Sequence, residues 1–329
     1  MPSQFPADEW QYQPPATLGF DERQLTAAFD AISRFNCIGA MAIRNGVLVG
    51  SVGAVAEKSL VRSVRKSLLS ALIGIAVERE QILLSATIAD LDIDDVDRLT
   101  EAEKRASVLD LLTSRSGVYH PALAETRDAV ATKPPRGSAA PGEKWVYNNW
   151  DFNALGTIYE RATGKSVYQG LLDDIATPIG MQDYSPADGH PMRGEISNHP
   201  AYHVALSTRD MARFGLLYLN NGRWEDRPIV PADWVRESTS AHSIARNQGY
   251  GYMWWTTGLA GEAETLNGVR RNADLPPFRY AAQGHHGQLI YIVPQKDLVV
   301  VSLSAPQTRA REEWSNYWDF IRLTILSAQ

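Results

Sequence analysis

Ser63-Val64-Arg65-Lys66 places a hydroxyl and an amine three residues apart, immediately before a run of apolar residues at helical spacing. Side chains at i and i+3 of a helix share one face, a turn apart. An amine so placed can take the proton of a serine and make the oxygen a nucleophile, provided the amine is held neutral. Spacing alone is a weak signal, because a serine at the foot of a helix can equally cap its orphan N–H groups. An acyl-transfer site needs three more parts: a second proton relay, a polar anchor for the substrate, and paired N–H donors for an oxyanion.

Tyr147-Asn148-Asn149, following the loop residues Pro141-Gly142, offers the first two. A phenol can shuttle a proton, and an amide brings both a donor and an acceptor. The plainer reading has Tyr147 as a partly buried aromatic and Asn149 as a helix N-cap, and the residues alone leave both open. Gly284-His285-His286-Gly287-Gln288 precedes the strand-like run Leu289 to Val293. Glycines beside a strand often mark a close approach of ligand or backbone. The Gln288 N–H is one candidate oxyanion donor, and the Ser63 N–H at the positive end of its helix is the other. Adjacent histidines on a strand point to opposite faces, and Pro200 interrupts the helical spacing of His199 and His203, so no metal site is expected.

The surrounding pattern supplies elements to hold these groups. Asp21 to Phe35 has helical spacing, and Ile38 to Ala54 alternates about Asn45-Gly46, a dipeptide that favours a type I′ hairpin turn. Ser63 begins a helix expected to reach about Gln81. From about 85 to 221 the chain reads as helix and loop, with short helices at Ser107–Thr113 and Asp151–Ala162 and a capping-box pattern at Ser207-Thr208-Arg209-Asp210. Lys133 to Gly142 is loop. Strand character returns after about 245, with Gln288–Pro294 and Leu298–Ser304 expected to pair, and Glu312–Leu326 is a final helix. The order implies a split α/β domain, residues 1–62 and 222–329, with a mostly helical domain, 63–221, inserted and the site in the cleft between them.

The 329 residues allow such a two-part chain, and 44% hydrophobic with 21% charged residues is ordinary for a globular protein. A net charge of −6 without a basic cluster argues against a nucleic-acid partner. Cys37, the single cysteine, allows no internal disulfide and reads as a small buried hydrophobe. Leu68–Val77, the longest apolar run, is too short to span a bilayer, and Met1–Pro15 has no basic and apolar leader pattern. A cytoplasmic protein without a membrane partner is the expectation.

Ser63-x-x-Lys66, Tyr147-x-Asn149 and His285-x-Gly287, in this order, resemble the motifs of the serine β-lactamase and penicillin-binding-protein superfamily. Four further segments are similar to the class C β-lactamase-related branch, which includes family VIII carboxylesterases and 6-aminohexanoate-dimer hydrolases. They are Leu111 to Gly117, Pro141 to Asn149, Ser207 to Trp224 and Tyr250 to Trp255. The resemblance spans about residues 20 to 325. It implies a mixed α+β fold, an antiparallel sheet flanked by helices with an inserted helical domain. It also implies a cofactor-free serine hydrolase acting on a small ester or amide, with Ser63, Lys66 and Tyr147 catalytic. Asn149, His285, His286, Gly287 and Gln288 would then contact substrate. Where many relatives carry Lys-Thr-Gly, this chain has His285-His286-Gly287, and an imidazole anchors a carboxylate less well at pH 7 than an ammonium does. That departure favours esters or amides over β-lactams. A β-lactamase or D-alanyl-D-alanine peptidase, and a silent ligand-binding relative, are the alternatives.

Overall fold

The structure, a computed structural model, describes residues 4–35, 37–245, 248–257, 265–266, 269–270, 275–305 and 311–329. Helix α1 (Glu22–Arg34) starts on the Asp21 side chain, which accepts from the Arg23 and Gln24 N–H groups. Strands β1 (Cys37–Arg44) and β2 (Val47–Gly53) form the hairpin expected about Asn45-Gly46, whose φ values of 53° and 77° fit a type I′ turn. Cys37 lies half-buried at the start of β1 rather than in the core. Then come β3 (Lys58–Leu60), α2 (Val64–Glu78), α3 (Val108–Leu112), α4 (Asn149–Thr163), β4 (Gly189–Gly194), β5 (Ser197–Ser207) and α5 (Thr208–Leu219). Short strands β6 (Ser243–Ala245), β7 (Gln248–Tyr250) and β8 (Trp255–Thr256) lead to β9 (Tyr280–Gly284), β10 (Gln288–Val293), β11 (Leu298–Ser304) and the closing helix α6 (Arg311–Ser327).

Eight strands form one antiparallel sheet in the order β2-β1-β11-β10-β9-β8-β7-β6. The interior strand β11 is buried along its whole length, because both faces of the sheet are covered. Its alternation divides the core: Leu298 and Val300 face one cluster with Phe20, Ile32, Phe320 and Ile325, whereas Val299, Val301 and Leu303 face another. The second cluster takes in helices α2, α4 and α5, and α5 packs directly on β11, β10 and β1. Thus the mixed α+β architecture expected from the sequence is the one observed. A smaller sheet, β3-β5-β4, lies beside the segment that leads into α2.

Helix α2 is buried on all sides from Val64 to Ala76, which is how a helix apolar all round must sit. Ser63 stands at the N-cap position but does not cap: it has helical φ and ψ of −76° and −8°, and its side chain accepts no capping bond. The residue before it, Arg62, has φ 52°. At α4 the cap is Asn148, which accepts from the Trp150 N–H, and Asn149 is the first helical residue. At α5, Ser207 caps as expected, but Asp210, fully buried, turns away from the cap to accept from the N–H groups of Gln182, Asp183 and Tyr184.

Candidate active site

The buried helix α2 carries Lys66 into contact with three polar groups. Its Nζ lies 2.9 Å from Ser63 Oγ, 2.7 Å from Tyr147 Oη and 3.1 Å from Asn149 Oδ1. It also sits 4.4 Å from the ring centres of both Tyr147 and Phe152. Lys66 is 3% exposed and forms no ion pair with a carboxylate among the described residues. Burial holds its pKa well below the usual lysine value, and the positive charge of Arg65 pushes it the same way. Burial raises the Tyr147 phenol, an effect opposed by its hydrogen bond with Ser63 and by Arg65. The shifts therefore favour a neutral amine beside a protonated phenol. A neutral amine has two N–H groups and one lone pair. Asn149 Oδ1 can only accept, so the lone pair is left for a hydroxyl proton.

Each partner is fixed by its own neighbours. Asn149 Nδ2 donates to Ala124 O at 2.7 Å, so its oxygen is the atom presented to Lys66. Asn148 donates to Val118 O at 2.6 Å and to Asp151 at 2.8 Å, while Ser116 donates to the same Asp151 oxygen at 2.5 Å. Asp151 is fully buried, which raises its carboxyl well above the usual range. Together these bonds pin the 114–124 segment to the start of α4, and the Val146 N–H completes the clamp on Ser114 O. The Tyr147 ring stacks on Trp255 at 5.8 Å and meets Phe152 at 4.9 Å and Tyr250 edge-on at 6.3 Å. Ser67 anchors the strand segment that brings these aromatics by donating to Met253 O at 2.7 Å.

The third motif occupies a turn, not a strand. Residues 285–287 join β9 to β10, with φ of 68° at His286 and 85° at Gly287. Strand alternation therefore does not separate the two histidines, whose rings lie 4.1 Å apart. Gly284 brings this turn to the nucleophile segment. A Cβ on it would stand 2.5 Å from Val61 O and 3.2 Å from Arg62 Cβ, so only glycine allows so close an approach. The Gln288 side chain points away, its amide donating to Ser304 O and accepting from the Ser304 N–H. Only the backbone N–H of Gln288 is left for the role expected of it.

Ser63, Lys66, Tyr147 and Asn149 are thus assembled around one amine, and the 285–287 turn is brought alongside through Gly284. Phe152, whose ring walls Lys66, is the member of this assembly that the sequence pattern did not point to, and Trp150 and Trp254 are fully buried core. Trp145 and Trp255 are partly exposed beside Tyr147 and Tyr250. Tyr147, Phe152 and Trp255 are all far from α2 in sequence, so no local signal links them to Lys66.

Three comparisons bear on this geometry. A 6-aminohexanoate-dimer hydrolase homologue of Bacillus anthracis superposes with a TM-score of 0.68 at 19% identity, covering 98% of this chain and 88% of its own. A class C beta-lactamase gives 0.67 at 16% identity over 92% and 96%, and a beta-lactamase of Mycobacterium bovis gives 0.64 at 16% over 92% and 100%. These likenesses concern the fold. In sequence, an uncharacterized protein of Alkalihalophilus pseudofirmus is 22% identical over 179 residues, so the match spans about half of each chain, 49% and 52%. The family model described as Beta-lactamase matches residues 23–318, and the chain belongs to the beta-lactamase family.

Proposed function

We propose that this protein is a serine hydrolase that cleaves a small ester or amide through an acyl-enzyme on Ser63. The observation that carries this reading is the single buried amine of Lys66, within 3.1 Å of Ser63, Tyr147 and Asn149 and without a carboxylate partner among the described residues. In acylation the Ser63 oxygen bonds to the carbonyl carbon as its proton passes to Lys66. The tetrahedral oxyanion is stabilised by the backbone N–H groups of Ser63 and Gln288. The bond to the leaving group then breaks, and that group takes a proton from Lys66 through Tyr147. Deacylation repeats the sequence with water as nucleophile, and Asn149 keeps the amine in register throughout.

The opposed shifts of Lys66 and Tyr147 support Lys66 as the base and Tyr147 as the relay. The histidines at the third motif support an ester or amide in preference to a β-lactam, since that turn brings no lysine. Replacing Ser63 by Ala is expected to abolish hydrolysis of 4-nitrophenyl butyrate and labelling by a fluorophosphonate; unchanged rates would remove the assignment. A chromogenic cephalosporin cleaved much faster than short esters would overturn the substrate preference.

A further inference from the structure

Positive charge gathers beside Ser63, and no described acidic group neutralises it. Strands β3 and β5 pair Leu60 with Ala205, and the Val61 N–H extends the ladder to Val204 O at 3.0 Å. Arg62 follows at once and leaves the ladder with φ 52°, its charge acting on His203 of β5, which β4 pairs with His190. Three side chains able to carry positive charge, His190, His203 and Arg62, therefore gather at this edge of the small sheet, the last of them on the residue that precedes the nucleophile. Arg65 acts on His203 as well; it is 3% exposed, with its guanidinium 4.3 Å from the Tyr202 ring centre.

Neither arginine has a carboxylate partner among the described residues, in contrast to Arg79, Arg136, Arg209 and Arg236. Arg62 Nε, Arg65 Nη1 and His203 Nδ1 are buried and make no hydrogen bond. Burial first, then the charges of Arg65, Arg62, Lys66 and His190, drive the His203 imidazole down to about 4. An uncompensated buried guanidinium is costly, and a carboxylate matches its planar fork.

We propose that Arg62 and Arg65, flanked by His203 and His190, form a subsite for a carboxylate carried by the substrate a few atoms from the bond that Ser63 attacks. This rests on the hydrolase reading above and narrows it to anionic esters or amides, with the anion held by guanidinium groups and not by a lysine at the third motif. Arg62 supplies the mouth of the subsite, being half-buried and adjacent to Ser63, and Arg65 supplies its floor. An anion there gives the unsatisfied donors partners and removes the pressure on His203.

The test compares mono-4-nitrophenyl adipate with the 4-nitrophenyl ester of adipic monoamide, which differ only in the terminal carboxylate. The wild type should favour the anionic ester in kcat/KM by about tenfold or more at low salt, and Arg62→Gln should cut that preference by about tenfold with the amide ester little changed. A preference unaltered by Arg62→Gln, or one for the amide, would overturn the subsite. A second measurement needs no turnover: in the Ser63→Ala protein, adipate should raise the His203 pKa seen by NMR, and Arg62→Gln should abolish that rise. If the hydrolase reading alone is wrong, neither ester is cleaved yet adipate still moves His203. If the subsite alone is wrong, both esters are cleaved and His203 does not respond.

Discussion

Replacing Tyr147 by Phe separates catalysis from packing within one side chain. The ring is held by Trp255, Phe152 and Tyr250 at centroid distances of 5.8, 4.9 and 6.3 Å, and phenylalanine keeps all three contacts. Only the hydroxyl 2.7 Å from Lys66 Nζ is lost. Each of its buried hydrogen bonds, to Lys66 and to Ser63, contributes about 1 kcal/mol, so the variant should remain folded with a modestly lower melting temperature. A positioned proton relay contributes roughly 10²–10⁴ in rate, or about 3–5 kcal/mol in the barrier. The expected outcome is therefore a fall in kcat of at least about a hundredfold, well above the stability effect. Stopped-flow turnover of 4-nitrophenyl butyrate, with mass spectrometry of the quenched enzyme, locates the loss. An accumulated butyryl-Ser63 adduct assigns it to deacylation, and slowed labelling by a fluorophosphonate assigns it to acylation. A variant within about fivefold of wild type in both half-reactions would refute the relay, since a step worth that little lies below the range such groups supply.

Other substitutions probe the neighbouring groups. Ser63→Ala should leave the melting temperature nearly unchanged, because the Ser63 side chain makes no capping bond, whereas Ser207→Ala should cost about 1 kcal/mol in urea unfolding. Lys66→Met should abolish turnover yet stabilise the fold: the native lysine pKa lies well below its unfolded value, so the unfolded chain binds the extra proton. Between those two values wild-type stability falls by up to about 1.4 kcal/mol per unit as pH drops, so the advantage of the methionine variant should grow from pH 9 to pH 7; equal slopes for the two proteins would contradict a depressed lysine. Glu103→Gln should destabilise by roughly 2–3 kcal/mol at pH 7, since Arg136 and Thr100 help hold the buried carboxyl down to about 2. That contribution is present above the ordinary glutamate value of 4.5 and is lost as pH falls towards 2, so the two proteins should converge by about pH 2.

The parts of this molecule legible in its sequence are those encoded by local chemistry. The Asn45-Gly46 hairpin, the Ser207 cap and the Ser63–Lys66 spacing each follow from residues within a turn or two of one another. Ser63 as a cap failed because Arg62, at φ 52°, redirects the chain so that the serine is already helical and its hydroxyl faces Lys66. The histidine turn was misjudged for a similar reason, since left-handed φ at His286 and Gly287 ends the strand alternation that would have parted the two rings. Contacts across the chain, such as Tyr147 with Trp255 or Arg65 with Tyr202, leave no local periodicity to read.

Arg65 ties these observations into one electrostatic argument. A lysine three residues from its serine is useful as a base only if it is neutral, and a carboxylate beside it would restore its proton. The surroundings of Lys66 offer an amide oxygen and two hydroxyls as partners, aromatic faces as walls, and a second cation in Arg65. Acidic groups are held elsewhere: Asp95 binds Trp150 and Ser197, and Asp151, its carboxyl raised by burial, serves Ser116 and Asn148. The arginine that depresses the amine is itself left without a counter-ion, so the same arrangement that makes Ser63 reactive also leaves a place for a substrate anion. Such an anion must engage Arg62 and the outer edge of Arg65 while staying clear of the amine, because direct contact with Lys66 would raise its pKa and switch off the base. A carboxylate placed one or two atoms too close to the scissile bond should therefore bind well and react slowly. Mono-4-nitrophenyl esters of shorter diacids should show that split, with a lower KM and a lower kcat than the adipate ester; a kcat independent of chain length would show that the anion and the amine do not interact.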